Sequence, residues 1–240
     1  MAAEESDVSP SSRPEGDGPS PADGQSPPRR RGERRWPMAA AVLVSVAMQL
    51  SLPDRHVLSP SVLFPTVEVL LLAVLVVGDP GRVDRRSPVL MRVTVGLVIV
   101  MTADNLAGVA ELVRDILDGS DRDNGTVLLA TGGALWVTNV IAFSLWYWLL
   151  DRGGPAARAL GEPEPPAFAF PEDATPDLAP ADWWPQYPDY LYLAFTNSTA
   201  LSPTDTLPVA RWAKMVMLVQ SSISLVIAIM IVARAVNILT

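Results

Sequence analysis

Apolar and polar stretches alternate along this chain on the scale of whole helices. Pro37 to Leu52, Val62 to Val77, Pro88 through Met91–Met101, Thr126 to Leu150 and Met215 to Val232 are dominated by aliphatic side chains. A helix needs roughly 20 apolar residues to cross a bilayer core. The runs with their flanks therefore predict five transmembrane helices, of which the first is short. The second carries Glu68 about two turns in and stops at Gly78-Asp79-Pro80-Gly81. The third turns amphipathic: Asp104, Gly108, Glu111 and Asp115 recur at i, i+4, i+7 and i+11, which is one helix face. That spacing carries the helix on to Leu117. The fourth holds Gly132 and Gly133, which permit close helix approach, and Asn139 in mid-span. It ends in the aromatic belt Trp146-Tyr147-Trp148.

The last third of the chain adds a smaller element. Tyr190 to Thr196 is too short to span, and Tyr187, Tyr190, Tyr192 and Phe195 recur at roughly helical spacing. We expect a short helix from about Pro188 to Asn197, then a non-helical turn, then a helix start near Ser202 or Thr206. Ser202 and Asp205 fit the capping-box spacing, with Pro203 at the first helical position. The short helix is either re-entrant, with its turn buried in protein or lining water, or it lies along the interface. Its aromatic face is expected to dock against the bundle as a plug or brace. Arg211, Trp212 and Lys214 at the start of the last run, and Arg234 near its end, have the character of interfacial anchors.

Composition changes the picture at the polar segments. Residues 1–34 are rich in Pro, Ser, Gly, Asp and Glu and are expected to lack fixed structure. The tail closes on Arg29-Arg30-Arg31-Gly32-Glu33-Arg34-Arg35, read as a positive-inside anchor and secondarily as an anionic-lipid patch. Residues 159–182 are acidic and Pro-rich and are expected to be a poorly ordered linker. The tail, the 82–92 loop and Arg152 with Arg158 are basic, whereas the 53–61 and 118–125 connections are not. That places the N-terminus inside and the C-terminus outside. Seventeen arginines against the single Lys214 suggest a GC-rich bacterial genome, hence a bacterial inner membrane. The expected organisation is a disordered cytoplasmic tail (1–35), a four-helix transmembrane bundle (36–150), an acidic linker (151–182) and a final unit (183–240). The fold class is an all-α membrane protein, a bundle of five transmembrane helices plus a short re-entrant or interfacial helix.

The segment DYLYLAFTNSTALSPTDTLPVAR, from Asp189 to Arg211, resembles the pore helix, filter and inner-helix start of the potassium-channel pore module. It is more similar to a family of uncharacterised bacterial integral membrane proteins. These share a DYLYFAFT-like segment, a Ser/Thr turn with an Asp, and a last helix ending near Ala-Val-Asn-Ile. The likeness covers roughly the last third of the chain. A potassium filter needs glycines so that successive carbonyls can face the pore. Here the corresponding residues are Thr199-Ala200-Leu201-Ser202-Pro203-Thr204-Asp205, and no glycine follows Gly161. Any path at this turn would be lined by Thr196, Asn197, Ser198, Thr199, Ser202 and Asp205. The positive-inside assignment also puts the turn on the cytoplasmic side, opposite to a pore module.

Candidate chemistry is confined to the membrane. Ionisable groups there are expensive and point to function by default. Glu68 and Asp104 fall at similar depth on neighbouring antiparallel runs, with Glu111 one to two turns beyond. They form the candidate intramembrane ion or proton site, expected within contact range of one another. A structural ion pair, Glu68 with Arg55 or Arg114, is the competing reading. Asn105, Asn139 and Gln220 are expected to bond across helices. With no cysteine and only His56, neither a thiolate site nor a histidine-pair metal site is available. We expect no enzyme activity, no cofactor and no nucleic-acid partner; the partners are the lipid bilayer and a homo-oligomer or membrane partner. Two functions fit: small-ion or proton transport through a carboxylate and Thr/Ser-lined path, or a non-transporting scaffold acting through the tail and acidic linker.

Overall fold

The computed structural model describes residues 32–51, 62–83, 87–118, 125–161, 163–175, 177–180, 183–199 and 205–239. The expectations for residues 1–31, the 53–61 turn with Arg55 and His56, most of the 118–125 loop, Ser202 and Pro203, and the Arg234 side chain lie outside them. The described chain is predominantly helical. Short strand β1 (Glu33–Arg34) leads into α1 (Trp36–Ser51); α2 (Leu63–Gly78) is followed by β2 (Arg82–Val83); then come α3 (Pro88–Asp118) and α4 (Gly125–Leu150). A 3-10 turn, Asp151–Gly153, links α4 to α5 (Gly154–Leu160), which precedes β3 (Phe168–Ala169) and α6 (Pro171–Ala174). α7 (Tyr187–Thr199), β4 (Leu207–Pro208) and α8 (Arg211–Leu239) complete the chain.

Among the described residues, three helices are long and apolar enough to cross a membrane: Pro88–Asp118, the helix beginning at Thr126, and Arg211–Ala233. The apolar helices α1 and α2 are shorter, at 16 residues each, or about 24 Å at 1.5 Å per residue. α4 is the centre of the bundle and packs against α1, α3, α7 and α8. Its residues 138–145 are buried without interruption, as expected for a helix that is apolar all round. α8 is different: Met215, Leu218, Val219, Leu225, Val226, Ile229 and Val232 all face outward. Such a surface suits hydrocarbon and not water.

Two small antiparallel pairings gather one end of every long element. β1 pairs with β2, Glu33 opposite Val83 and Arg34 opposite Arg82. β3 pairs with β4, Phe168 opposite Pro208. The start of α1, the end of α2, the end of α4 and the start of α8 therefore meet in one cap. Its basic segments are those grouped together by the arginine pattern.

The cap corrects the expectation of a poorly ordered linker. Residues 159–182 are folded over most of their length, because Ala167, Phe168 and Phe170 bury against the helix ends and Asp173 pairs with Arg152. A few apolar residues in a Pro-rich stretch suffice when a preformed surface receives them. Glu33 and Arg34 are likewise ordered in β1. The turn into α5 is tight: Arg152, Gly153 and Gly154 all have positive φ, and a Cβ on Gly154 would sit 2.8 Å from the Leu149 carbonyl oxygen. Only glycine tolerates that approach. Arg152 in the left-handed region costs on the order of 1 kcal/mol, offset by its ion pairs to Asp151 and Asp173 and by the Trp184 ring 4.8 Å away.

α7 is longer than expected, and α8 begins later than expected, at Arg211, not Ser202 or Thr206. Leu207 and Pro208 are held in β4 instead, and Val209 N–H donates to the Ala167 carbonyl at 2.8 Å. The aromatic face of α7 is split. Tyr187 and Tyr190 are buried, but Tyr192 is 54% and Phe195 48% exposed.

Candidate functional site

Glu68 is fully buried within the bundle. Leu63-Phe64-Pro65 starts α2 and sets Glu68 one turn later on the face that meets α1. There the amide of Gln49 donates to both carboxylate oxygens, at 3.3 and 3.2 Å. The same Gln49 nitrogen lies 3.4 Å from Ser45 Oγ, and Ser45 reaches Thr138 Oγ1 on α4 at 3.5 Å. Among the described residues no ion pair forms to Glu68. Asp104 on α3 is half-buried, and its like charge acts on Glu68. Glu111, also half-buried, follows two turns on, about 10 Å further along the axis. The structure thus brings Glu68 and Asp104 into one electrostatic neighbourhood and leaves Glu111 at a distance along the helix.

A second cluster joins α4, α7 and α8 around Gln220. Its amide oxygen accepts from Tyr147 Oη at 2.5 Å and from Asn197 Nδ2 at 2.8 Å. Its nitrogen donates to the Ala194 carbonyl at 2.9 Å and to Ser198 Oγ at 2.8 Å. Asn197 further donates to the Met217 carbonyl, and Ser221 donates to Asn197 Oδ1. One turn along α8, Ser224 accepts from Asn139 at 2.9 Å. Asn105 donates to the Leu135 carbonyl at 2.8 Å. Asn105, Asn139 and Gln220 therefore all bond across helices.

The candidate Thr/Ser residues lie at and beyond the end of α7. Thr196, Asn197, Ser198 and Thr199 are the last turn of α7, which runs through Ser198 and Thr199 beyond the expected end at Asn197. Thr196 and Thr199 donate back to carbonyls of their own helix, at 3.0 Å to Tyr192 and 2.9 Å to Phe195. Asn197 and Ser198 point to α8. Asp205 accepts from the exposed Tyr192 hydroxyl at 3.3 Å, and Ser202 lies outside the described residues.

A third cluster, in the cap, was visible in the sequence only as scattered charge. Glu33 accepts from Arg158 Nε at 2.8 Å and from Trp148 Nε1 at 2.6 Å. Arg158 also donates to the carbonyls of Trp148 and Asp151, at 3.0 and 2.8 Å, and lies over the Tyr190 ring. Asp151 takes the backbone N–H groups of Ala167 and Phe168 on one oxygen and the Tyr190 hydroxyl, at 2.6 Å, on the other. Burial pushes the Tyr190 phenol well above its ordinary value, so it remains a donor. Sequence reasoning used Arg152 and Arg158 for topology and passed over Gln49, the partner of Glu68. A glutamine inside the first apolar run was the available signal for the latter. Nothing local linked Glu33 to Arg158.

Among the described residues no group of three His, Asp or Glu side chains is placed to hold a metal ion. Comparison with family models, with curated proteins and with solved structures found no match.

Proposed function

We propose that this chain is a multi-pass membrane protein with five spans, an N-terminus on the cytoplasmic side of a bacterial inner membrane, and a proton- or small-cation-linked transport site at Glu68 and Asp104. The observation that carries the reading is Glu68 itself, fully buried with the neutral Gln49 holding both its oxygens. A carboxylate that had been retained only for structure is usually neutralised by a cation. One left to an amide, with a second carboxylate nearby, is suited to gain and lose a proton or to share a cation. The short α1 and α2 are compatible with spanning if the bilayer thins locally or the cap enters the interface.

α7 is assigned as a re-entrant helix. Tyr187 at its start bonds to Ser144 near the cap, Asn197 near its end reaches Gln220 deep on α8, and the chain is back at the cap by Leu207. It acts as a brace, since its polar end is saturated by Gln220. Potassium-type conduction is not proposed. The test is proton flux into liposomes containing the purified protein under an imposed pH gradient or potential. We expect flux that Glu68→Gln abolishes while the protein still folds.

A non-transporting scaffold is the second reading, favoured by the unbroken burial of α4 through the centre of the bundle. Absence of flux, together with co-purification of one stoichiometric partner, would establish it instead.

A further inference from the structure

We propose that the hollow between the start of α1 and the end of α2 holds the headgroup of an anionic phospholipid from the surrounding bilayer. The hollow measures about 440 Å³, and Arg34, Arg35 and Arg82 line it together with Trp36, Ala39 and Val76. Strand pairing sets Arg34 directly opposite Arg82. Like charges opposite one another across an antiparallel pair destabilise it, and among the described residues neither arginine forms an ion pair. An anion between them turns that repulsion into attraction.

Arg35 supplies a second, independent sign. Its side chain is buried, with one nitrogen on Asp79 at 3.0 Å, yet its Nε has no hydrogen-bond partner among the described residues. A buried, unsatisfied guanidinium N–H is unfavourable until an acceptor arrives. Arginine forks match phosphate oxygens in both charge and geometry.

The lower wall distinguishes a lipid from a free anion. Ala39 and Val76 are apolar, and Val77, 80% exposed, continues the apolar surface on α2. Trp36, 64% exposed, stands at the rim, where an amphipathic ring marks the headgroup level. A phosphate seated among the arginines would thus have its acyl chains directed along the outward faces of α1 and α2. Arg34 and Arg35 supply only part of this site; Arg82, just past the end of α2, completes it.

The experiment is native mass spectrometry of the full-length detergent-solubilised protein, titrated separately with phosphatidylglycerol and phosphatidylcholine. Wild type is expected to retain the anionic lipid in preference to the zwitterionic one. Arg34→Gln, whose side chain is exposed, should weaken phosphatidylglycerol retention about fivefold, the usual worth of one arginine near an anionic surface. Arg34→Gln with Arg82→Gln should remove the preference, with phosphatidylcholine adducts unchanged. Equal retention of the two lipids by wild type would overturn the proposal, as would an Arg34→Gln variant with unaltered preference. Displacement of phosphatidylglycerol by millimolar inorganic phosphate would assign the site to a free anion and overturn the lipid assignment.

Discussion

In the cap, Glu33 meets Arg158 at 2.8 Å and Trp148 at 2.6 Å, and Asp151 is surrounded by two backbone N–H groups, the Tyr190 hydroxyl and Arg152. In the bundle, Glu68 is buried as completely but is held by an amide. Both sites remove carboxylates from water, which is costly unless charge and lone pairs are satisfied. The cap meets that cost with a cation and many donors, which tie β1, the end of α4, α5, β3 and α7 together. At Glu68 the charge has no cation among the described residues, so the anion is not locked in. In the proposed reading, partners and not burial separate the structural acids of the cap from Glu68.

The largest effect should come from breaking the cap pair. Glu33→Ala leaves Arg158 buried without its counter-charge and should destabilise the protein by roughly 3–5 kcal/mol. Thermal or denaturant unfolding in detergent checks this, and the Glu33→Ala/Arg158→Met double variant should lose far less than the two singles added together. Additive losses would show that the pair is not the unit of the cap.

A smaller loss is expected from Tyr190→Phe, which removes one buried donor from Asp151. The cost should be about 1–3 kcal/mol. An unchanged midpoint would mean that the backbone donors and Arg152 already saturate Asp151.

The Gln220 cluster sharpens the comparison, because it is buried and polar but carries no charge. Tyr147→Phe should cost only about 0.6 kcal/mol, the average for hydrogen bonds within membrane bundles. A loss as large as that of Glu33→Ala would place this cluster with the cap as a structural keystone.

The smallest stability effect belongs to Glu68→Gln. The substitution preserves shape and removes the desolvation cost of a buried charge while weakening the contact with Gln49, so we expect the two changes to offset one another, alongside loss of flux. Strong destabilisation with normal flux would move Glu68 into the structural class and end the comparison.

Much of the helical framework was legible along the chain. The ends of all the long apolar helices except the last fall within one or two residues of the runs read from hydropathy. Such runs are local, and water excludes them wherever they stand. The cap was not legible, because Glu33 and Arg158 are separated by 125 residues, and no periodicity encodes a contact at that range. The same limit applied at Gly132 and Gly133, which look equivalent in sequence. In the fold a Cβ on Gly132 would meet Ile231 of α8 at 2.6 Å, while one on Gly133 would enter open space.

Sequence by itself therefore determined that this chain makes apolar helices, where all but the last of them begin, and which polar groups they carry into the bundle. Those outcomes follow from hydrogen-bond satisfaction and transfer from water, which each segment meets on its own. Tertiary structure alone decided that Arg158 neutralises Glu33, that Gln49 is what Glu68 receives, and that the end of α7 is closed by Gln220. A buried charge or amide is stabilised only by the partner that packing brings within about 3 Å, and packing is a property of the whole chain.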